Sequence, residues 1–285
     1  MRSWPALLCL ATAIAVAVLF GAAHSLTLPV PAIIGPPPAD LAAETVIIAT
    51  PGGERVAGWF ADPKRKRAAV LILHGVHGNR REVVERQRLF HAAGYATLAI
   101  DQQAHGESSG DRITFGHRES ASAAAAIVWL RDKLTGYKIA AVGLSLGGAA
   151  LLLGPEPAKA DAVVLEAVYA DIRNATADRL EMWPGPWTRP LTPLVVWPAA
   201  ILLRLWPADL RPIDRIARLK APVLIIGGLL DRHTPIADTR ALFAAALEPK
   251  DLWEIAEAGH SDFERFAPDA WRTRVLRFLQ QHLGA

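Results

Sequence analysis

Ile139-Ala140-Ala141-Val142-Gly143-Leu144-Ser145-Leu146-Gly147-Gly148 is an apolar run that breaks abruptly into small residues. A short apolar run bounded by glycine reads as a buried strand, and the small residues after it open a helix. The G-x-S-x-G spacing across the junction is a nucleophile elbow. A serine at the apex of such a strained turn needs neighbours without β-carbons, which Gly143 and Gly147 supply. Ser145 is therefore the candidate nucleophile.

Downstream, Pro222-Val223-Leu224-Ile225-Ile226-Gly227-Gly228 is a second buried run, followed by a polar turn carrying Asp231. Leu252-Trp253-Glu254-Ile255-Ala256 reads as a further strand before a turn with Gly259-His260. Serine, acid and histidine thus follow one another in the chain, each just past the carboxyl end of a strand. Asp171, beyond Val163-Val164-Leu165-Glu166, is the competing acid. Upstream, Val70-Leu71-Ile72-Leu73 runs into His74-Gly75-Val76-His77-Gly78. The backbone N–H groups of Leu146 and Val76 are the candidate donors to a developing oxyanion. His74 reads as a turn-stabilising hydrogen-bonder, and Asp101 with His105 as loop-ordering residues.

These pieces, with His105-Gly106-Glu107-Ser108 and Gly259-His260-Ser261-Asp262, resemble the α/β-hydrolase superfamily, nearest its lipase, esterase and serine aminopeptidase-like branch. The resemblance runs from about Val70 to the C-terminus. It implies Ser145 as nucleophile, His260 as base and Asp231 as the orienting acid, with no metal and no organic cofactor. The substrate expected is an ester with an apolar acyl portion, or an amide or thioester. An acyltransferase using the same triad, or a catalytically idle membrane-tethered binding protein, are the alternative readings.

Eight strands are expected: Thr45 to Ala49, Val56 to Phe60, Ala69 to Leu73, Ala96 to Ile100, Ile139 to Val142, Ala162 to Glu166, Val223 to Ile226 and Leu252 to Ile255. The first two suit an antiparallel hairpin around Gly52-Gly53. Helical patterns such as Arg118 to Lys133 and Ile236 to Leu247 separate later strands, which implies a mostly parallel sheet flanked by helices, the α/β-hydrolase fold. Ala170 to Asp214, between the sixth and seventh strands, is the expected cap. Trp183, Trp187, Trp197, Trp206 and the apolar stretch Leu191 to Leu205 lie in it. A cap lining an acyl pocket, a surface resting on a bilayer, and plain core packing are the three readings of that composition.

The N-terminus carries a separate signal. After Arg2, residues Trp4 to Ala23 are uncharged and apolar over about the length that spans a bilayer. Residues 1–23 read either as a retained anchor, with Arg2 inside, or as a signal peptide cleaved before His24. Either places the body on the extracytoplasmic side, membrane-anchored or secreted and periplasmic. Residues 24–43, with Pro29, Pro31 and Pro36-Pro37-Pro38, read as a semi-rigid tether. The catalytic domain is then expected over 44–285, with its cap at about 170–214.

Composition narrows the partners. Net charge is +3, and the sharpest basic cluster, Lys64-Arg65-Lys66-Arg67, falls in a turn without interleaved aromatics. A solvated loop explains it better than nucleic-acid recognition. Neither a G-x-G-x-x-G or Walker A pattern nor an H-E-x-x-H pair occurs, so neither a nucleotide cofactor nor a metal is expected. Cys9 is the single cysteine, which excludes an internal disulfide. The expected partners are a small-molecule or lipid ester and a membrane.

Overall fold

The computed structural model describes residues 4–64, 66–182, 185–260 and 262–284. The readings that involve Met1, Arg2, Arg65, Trp183 and Ser261 lie outside the described residues. The chain runs α1 (Trp4–Leu26), β1 (Val30–Pro31), β2 (Ala43–Ala49), β3 (Arg55–Ala61), β4 (Ala69–Leu73), α2 (Val84–Ala92), β5 (Ala96–Ile100), β6 (His105–Gly106) and α3 (Glu119–Lys133). It continues through β7 (Ile139–Leu144), α4 (Leu146–Leu152), β8 (Ala162–Glu166), α5 (Ile172–Met182), α6 (Thr192–Leu203), β9 (Val223–Gly228), α7 (Ile236–Ala245), β10 (Lys250–Ile255), α8 (Phe263–Phe266) and α9 (Pro268–Leu283).

Eight of these strands form one sheet in the order β10-β9-β8-β7-β4-β5-β3-β2. Only the β2–β3 and β3–β5 pairings are antiparallel, with β2 and β3 joined by the turn at Gly52-Gly53. Along the inner parallel strands β4, β5, β7, β8 and β9 nearly every residue is apolar, because both faces are covered, whereas the edge strand β10 carries Lys250, Asp251 and Glu254. Successive side chains take opposite faces. Leu71, Leu73, Ile139, Ala141, Val163, Leu165, Val223 and Ile225 pack under α3 and α7, while Val70, Ile72, Ala140, Val142, Val164, Leu224 and Ile226 pack under α2 and α9.

The strand order reverses between β4 and β7. From β4 the chain moves outward to β5 on one side, and from β7 it moves through β8 and β9 to β10 on the other. A reversal of this kind opens a crevice at the carboxyl edge of the sheet. Leu73 of β4 faces Gly143 of β7 there, so the turn after β4 and the elbow after β7 leave the sheet side by side.

Two features depart from the expected organisation. The proline-rich stretch expected to be a tether is laid along the catalytic body. Val30 N–H donates to the Ala104 carbonyl at 2.8 Å and Ala32 N–H to Gly106 at 2.9 Å, making β1 and β6 a small parallel pair. Glu107 Oε1 accepts from the N–H groups of both Ile34 and Gly35, and Ile34 and Leu41 are buried. Proline density correctly indicates extended backbone, but it carries no information about whether a groove receives it. The second feature is that α1 packs against α6 of the cap. α1 has a mean hydropathy of 2.5 and is the one helix among the described residues long and apolar enough to cross a membrane.

Candidate active site

The elbow has the conformation its sequence implies. Ser145 holds φ 49° and ψ −110°, a left-handed backbone that side chains rarely adopt. It is secured from both sides. Ser145 N–H donates to the Glu166 carbonyl at 2.7 Å, and Ser145 C=O accepts from Ala149 N–H at 3.0 Å to start α4. The glycines are required by contact: a β-carbon on Gly143 would stand 2.5 Å from Gly148 N, and one on Gly147 would stand 2.7 Å from Leu73 Cβ. α4 therefore lies flush against β4. Leu146 is its first residue, whose N–H has no partner within the helix.

The turn after β4, with Val76 at its centre, is shaped by two buried imidazoles. His74 Nε2 accepts from Gln102 N–H at 3.0 Å, so its proton is on Nδ1, which donates to Gly75 O at 2.7 Å. Burial, reinforced by neighbouring His105, pushes the His74 pKa down to about 3. It is a neutral brace at every working pH. His105 Nε2 accepts from His77 N–H at 3.2 Å and Nδ1 donates to Gln103 O at 2.8 Å. Asp101 accepts the backbone N–H groups of Arg80 and Glu107 and pairs with the buried Arg80 guanidinium. These groups order loops, as their sequence context implies.

On the other side of the crevice, Asp231 and His260 meet. His260 Nδ1 lies 2.8 Å from Asp231 Oδ2. Asp231 Oδ1 accepts the N–H groups of His233 at 2.8 Å and Thr234 at 2.9 Å, and the Thr234 hydroxyl donates to Oδ2. Burial pulls the Asp231 pKa upward, but its bonds to His260 and Thr234 outweigh this and hold the carboxyl below its usual 3.8. Asp231 is therefore an anion through the neutral range. The carboxylate is placed to accept a proton carried on His260 Nδ1, the tautomer in which Nε2 bears the lone pair. Asp171 is engaged elsewhere, accepting Arg211 Nη1 at 2.8 Å and Arg173 N–H at 2.8 Å.

Parallel register brings the three loops to one edge: Leu144 faces Glu166, Glu166 faces Ile226, and Ile226 faces Trp253. Ser145, Asp231 and His260 all lie just beyond that line. Leu230 N–H donating to Ala258 O at 2.9 Å ties the acid turn to the histidine turn.

A charged network beneath the site was not apparent from sequence. Arg86 of α2, buried, donates to both Glu166 oxygens at 3.1 and 2.8 Å and also to Asp262 Oδ1. Trp271 Nε1 donates to Glu166 at 2.8 Å. Burial lowers the Arg86 pKa, but the two carboxylates overcome that and hold it charged. Glu166 fixes Ser145 through its carbonyl and Asp262 sits two residues past His260, so one guanidinium braces both loops. Its partners are 80 and 176 residues away, beyond any local pattern.

Asp238, in the first turn of α7, accepts Ala170 N–H at 3.1 Å. Burial, aided by Asp178, Asp171 and Asp231, pushes its pKa up to about 6. A carboxyl raised above its unfolded value contributes stability at low pH, lost as pH rises from about 4 through 6. Asp238→Asn keeps an acceptor for Ala170 N–H and removes that loss. Melting curves should show the variant more stable at pH 7.5 by about 1–3 kcal/mol, with no advantage at pH 4.

Comparison with known proteins agrees with this architecture. The chain belongs to the α/β-hydrolase family described as Serine aminopeptidase, S33 (Hydrolase_4), whose model matches residues 64–208, and it is a hydrolase. It is 30% identical over 247 residues to Mycobacterium tuberculosis protein Rv2307c, covering 84% of this chain and 80% of that protein. It is 26% identical to the α/β hydrolase domain-containing protein WAV2 of Arabidopsis thaliana, covering 87% of this chain and 82% of that one. Among solved structures, the Pyrococcus furiosus esterase Pf2001 matches with a TM-score of 0.73 at 22% identity, over 90% of this chain and 98% of that one. That likeness is one of fold.

Proposed function

We propose that the protein is a serine esterase, held at a membrane by α1, that cleaves carboxylic esters with an apolar acyl group through an acyl-enzyme on Ser145. His260 Nε2 takes the Ser145 hydroxyl proton as Oγ attacks the carbonyl carbon, and the N–H groups of Leu146 and Val76 receive the oxyanion. His260 then returns the proton to the leaving oxygen, and the alcohol departs. Water, deprotonated by the same imidazole, attacks the acyl carbon and releases the acid, restoring Ser145. Asp231 keeps the imidazole in the required tautomer and stabilises its cation.

The observation that carries this reading is the 2.8 Å His260–Asp231 pair on the same sheet edge as a serine at φ 49°. Apolar acyl preference is supported by the composition of α6, which is uncharged from Thr192 to Leu203. The esterase Pf2001 is similar in fold. The test is a panel of nitrophenyl esters of graded chain length beside aminoacyl amides, assayed on full-length protein in detergent. The expected result is kcat/KM rising with acyl length, about tenfold for every two methylenes buried. A preference for aminoacyl amides would overturn the ester assignment.

A further inference from the structure

The cap and the N-terminal helix meet in a way that determines where α6 lies, given the membrane-spanning reading of α1 on which this inference rests. α1 is exposed over most of its length, and the positions that lose exposure, Leu19, Phe20 and Ala23, fall in its last turns. The cap helix α6 is the element that packs against it. At 23 residues α1 is about 34 Å long, close to the thickness of a hydrocarbon core. Its last turns are therefore at the outer boundary of the bilayer. A helix in packing contact, with axes about 8–10 Å apart, shares that depth.

The surface of α6 suits that position. Thr192–Leu203 contains no charged residue. Its inward side is Val196, Ala200 and Leu203, spaced i, i+4, i+7, and all are buried. Its outward side is Leu194, Trp197 and Ile201, spaced i, i+3, i+7, which are 48%, 44% and 60% exposed. Trp206, also exposed, is set edge-on to Trp197 at 6.0 Å, and Leu191 and Trp187, just before α6 in the chain, are exposed as well. Indoles flanking an apolar helix are the side chains that settle at a membrane interface. Arg204, at the C-terminal cap of α6, is exposed.

The cap also reaches the site. α5, which packs on α6, carries Arg179, whose Nη1 donates to the carbonyl of His233 at 3.3 Å. The His233 and His260 rings are 5.0 Å apart. A continuous path of packed groups therefore joins α1, α6, α5 and the histidine turn.

We propose that the outward face of α6 is embedded in the outer leaflet beside α1, and that the site draws esters dissolved in the bilayer through the cap. In a Cys9→Ala background, full-length protein carrying Ile201→Cys in α6, Leu10→Cys in α1 or Thr273→Cys at an exposed position of α9 is labelled with an environment-sensitive fluorophore and reconstituted into phosphatidylcholine vesicles. Lipids bearing nitroxide on the acyl chain are then added as quenchers. The expected result is strong quenching at positions 10 and 201 and none at 273. Quenching at 10 without quenching at 201 overturns the embedded cap while leaving the membrane-spanning α1 standing. No quenching at 10 removes the α1 reading and the proposal with it. In parallel, Ile201→Glu should lower turnover of a long-chain diacylglycerol in those vesicles at least tenfold and leave turnover of a short water-soluble nitrophenyl ester within twofold. Equal loss on both substrates would also overturn the proposal.

Discussion

Full-length protein carrying Ser145→Ala is expected to lose ester turnover by about 10⁴–10⁶-fold in kcat and to lose all labelling by a fluorophosphonate probe. In the proposed mechanism every covalent step passes through the Ser145 oxygen. The same substitution leaves the scaffold alone. The Ser145 side chain makes no capping bond to α4, and the strained φ of 49° is held by backbone bonds to Glu166 and Ala149. Alanine meets the same β-carbon strain as serine, so the melting temperature should stay within about 3 °C. Retained turnover in the alanine variant would transfer the nucleophile's role to another residue.

Asp231→Asn is the second large effect, with kcat expected to fall by about 10⁴-fold and KM to change little. An amide at this position presents a donor to His260 Nδ1 and so favours the tautomer with its proton on Nε2, which cannot act as the base. The contrast with Asp171→Asn makes the experiment specific. Asp171 is held by Arg211 and by Arg173 N–H, away from His260, and its neutralisation should change kcat by no more than about threefold. The reverse pattern would assign the orienting acid to Asp171.

The strands and the elbow were readable from sequence because each is written in adjacent residues. Ala69–Leu73, Ala96–Ile100 and Ala162–Glu166 have the expected ends, since continuous apolar runs between turn residues leave little freedom in a doubly covered sheet. β7 and β9 run on to Leu144 and Gly228, through glycines that read as turn residues but still pair in the ladder. The choice between Asp231 and Asp171 was not accessible in the same way. Both follow strand ends, and only the fold brings Arg211 to one and His260 to the other.

The Arg86 brace and the docking of α1 on α6 were hidden for a different reason. Each joins segments with no periodic relation, so neither leaves a local signature. Arg86 sits in a polar helix where a surface arginine is the ordinary reading, and only the burial of its guanidinium between two carboxylates shows its role. Buried charges in this setting are costly to strip of one partner.

The clasp between residues 30–35 and Glu107 bears on how the enzyme is to be prepared. A soluble version trimmed at Asp40 would discard Val30, Ala32, Ile34 and Gly35, leaving the Ala104 and Gly106 carbonyls and a Glu107 oxygen without their N–H donors. That oxygen belongs to the carboxylate that pairs with Arg80, which in turn orders Asp101. Starting the recombinant chain at Thr27, itself buried and accepting Ile113 N–H at 2.9 Å, removes the greasy helix while retaining the strap.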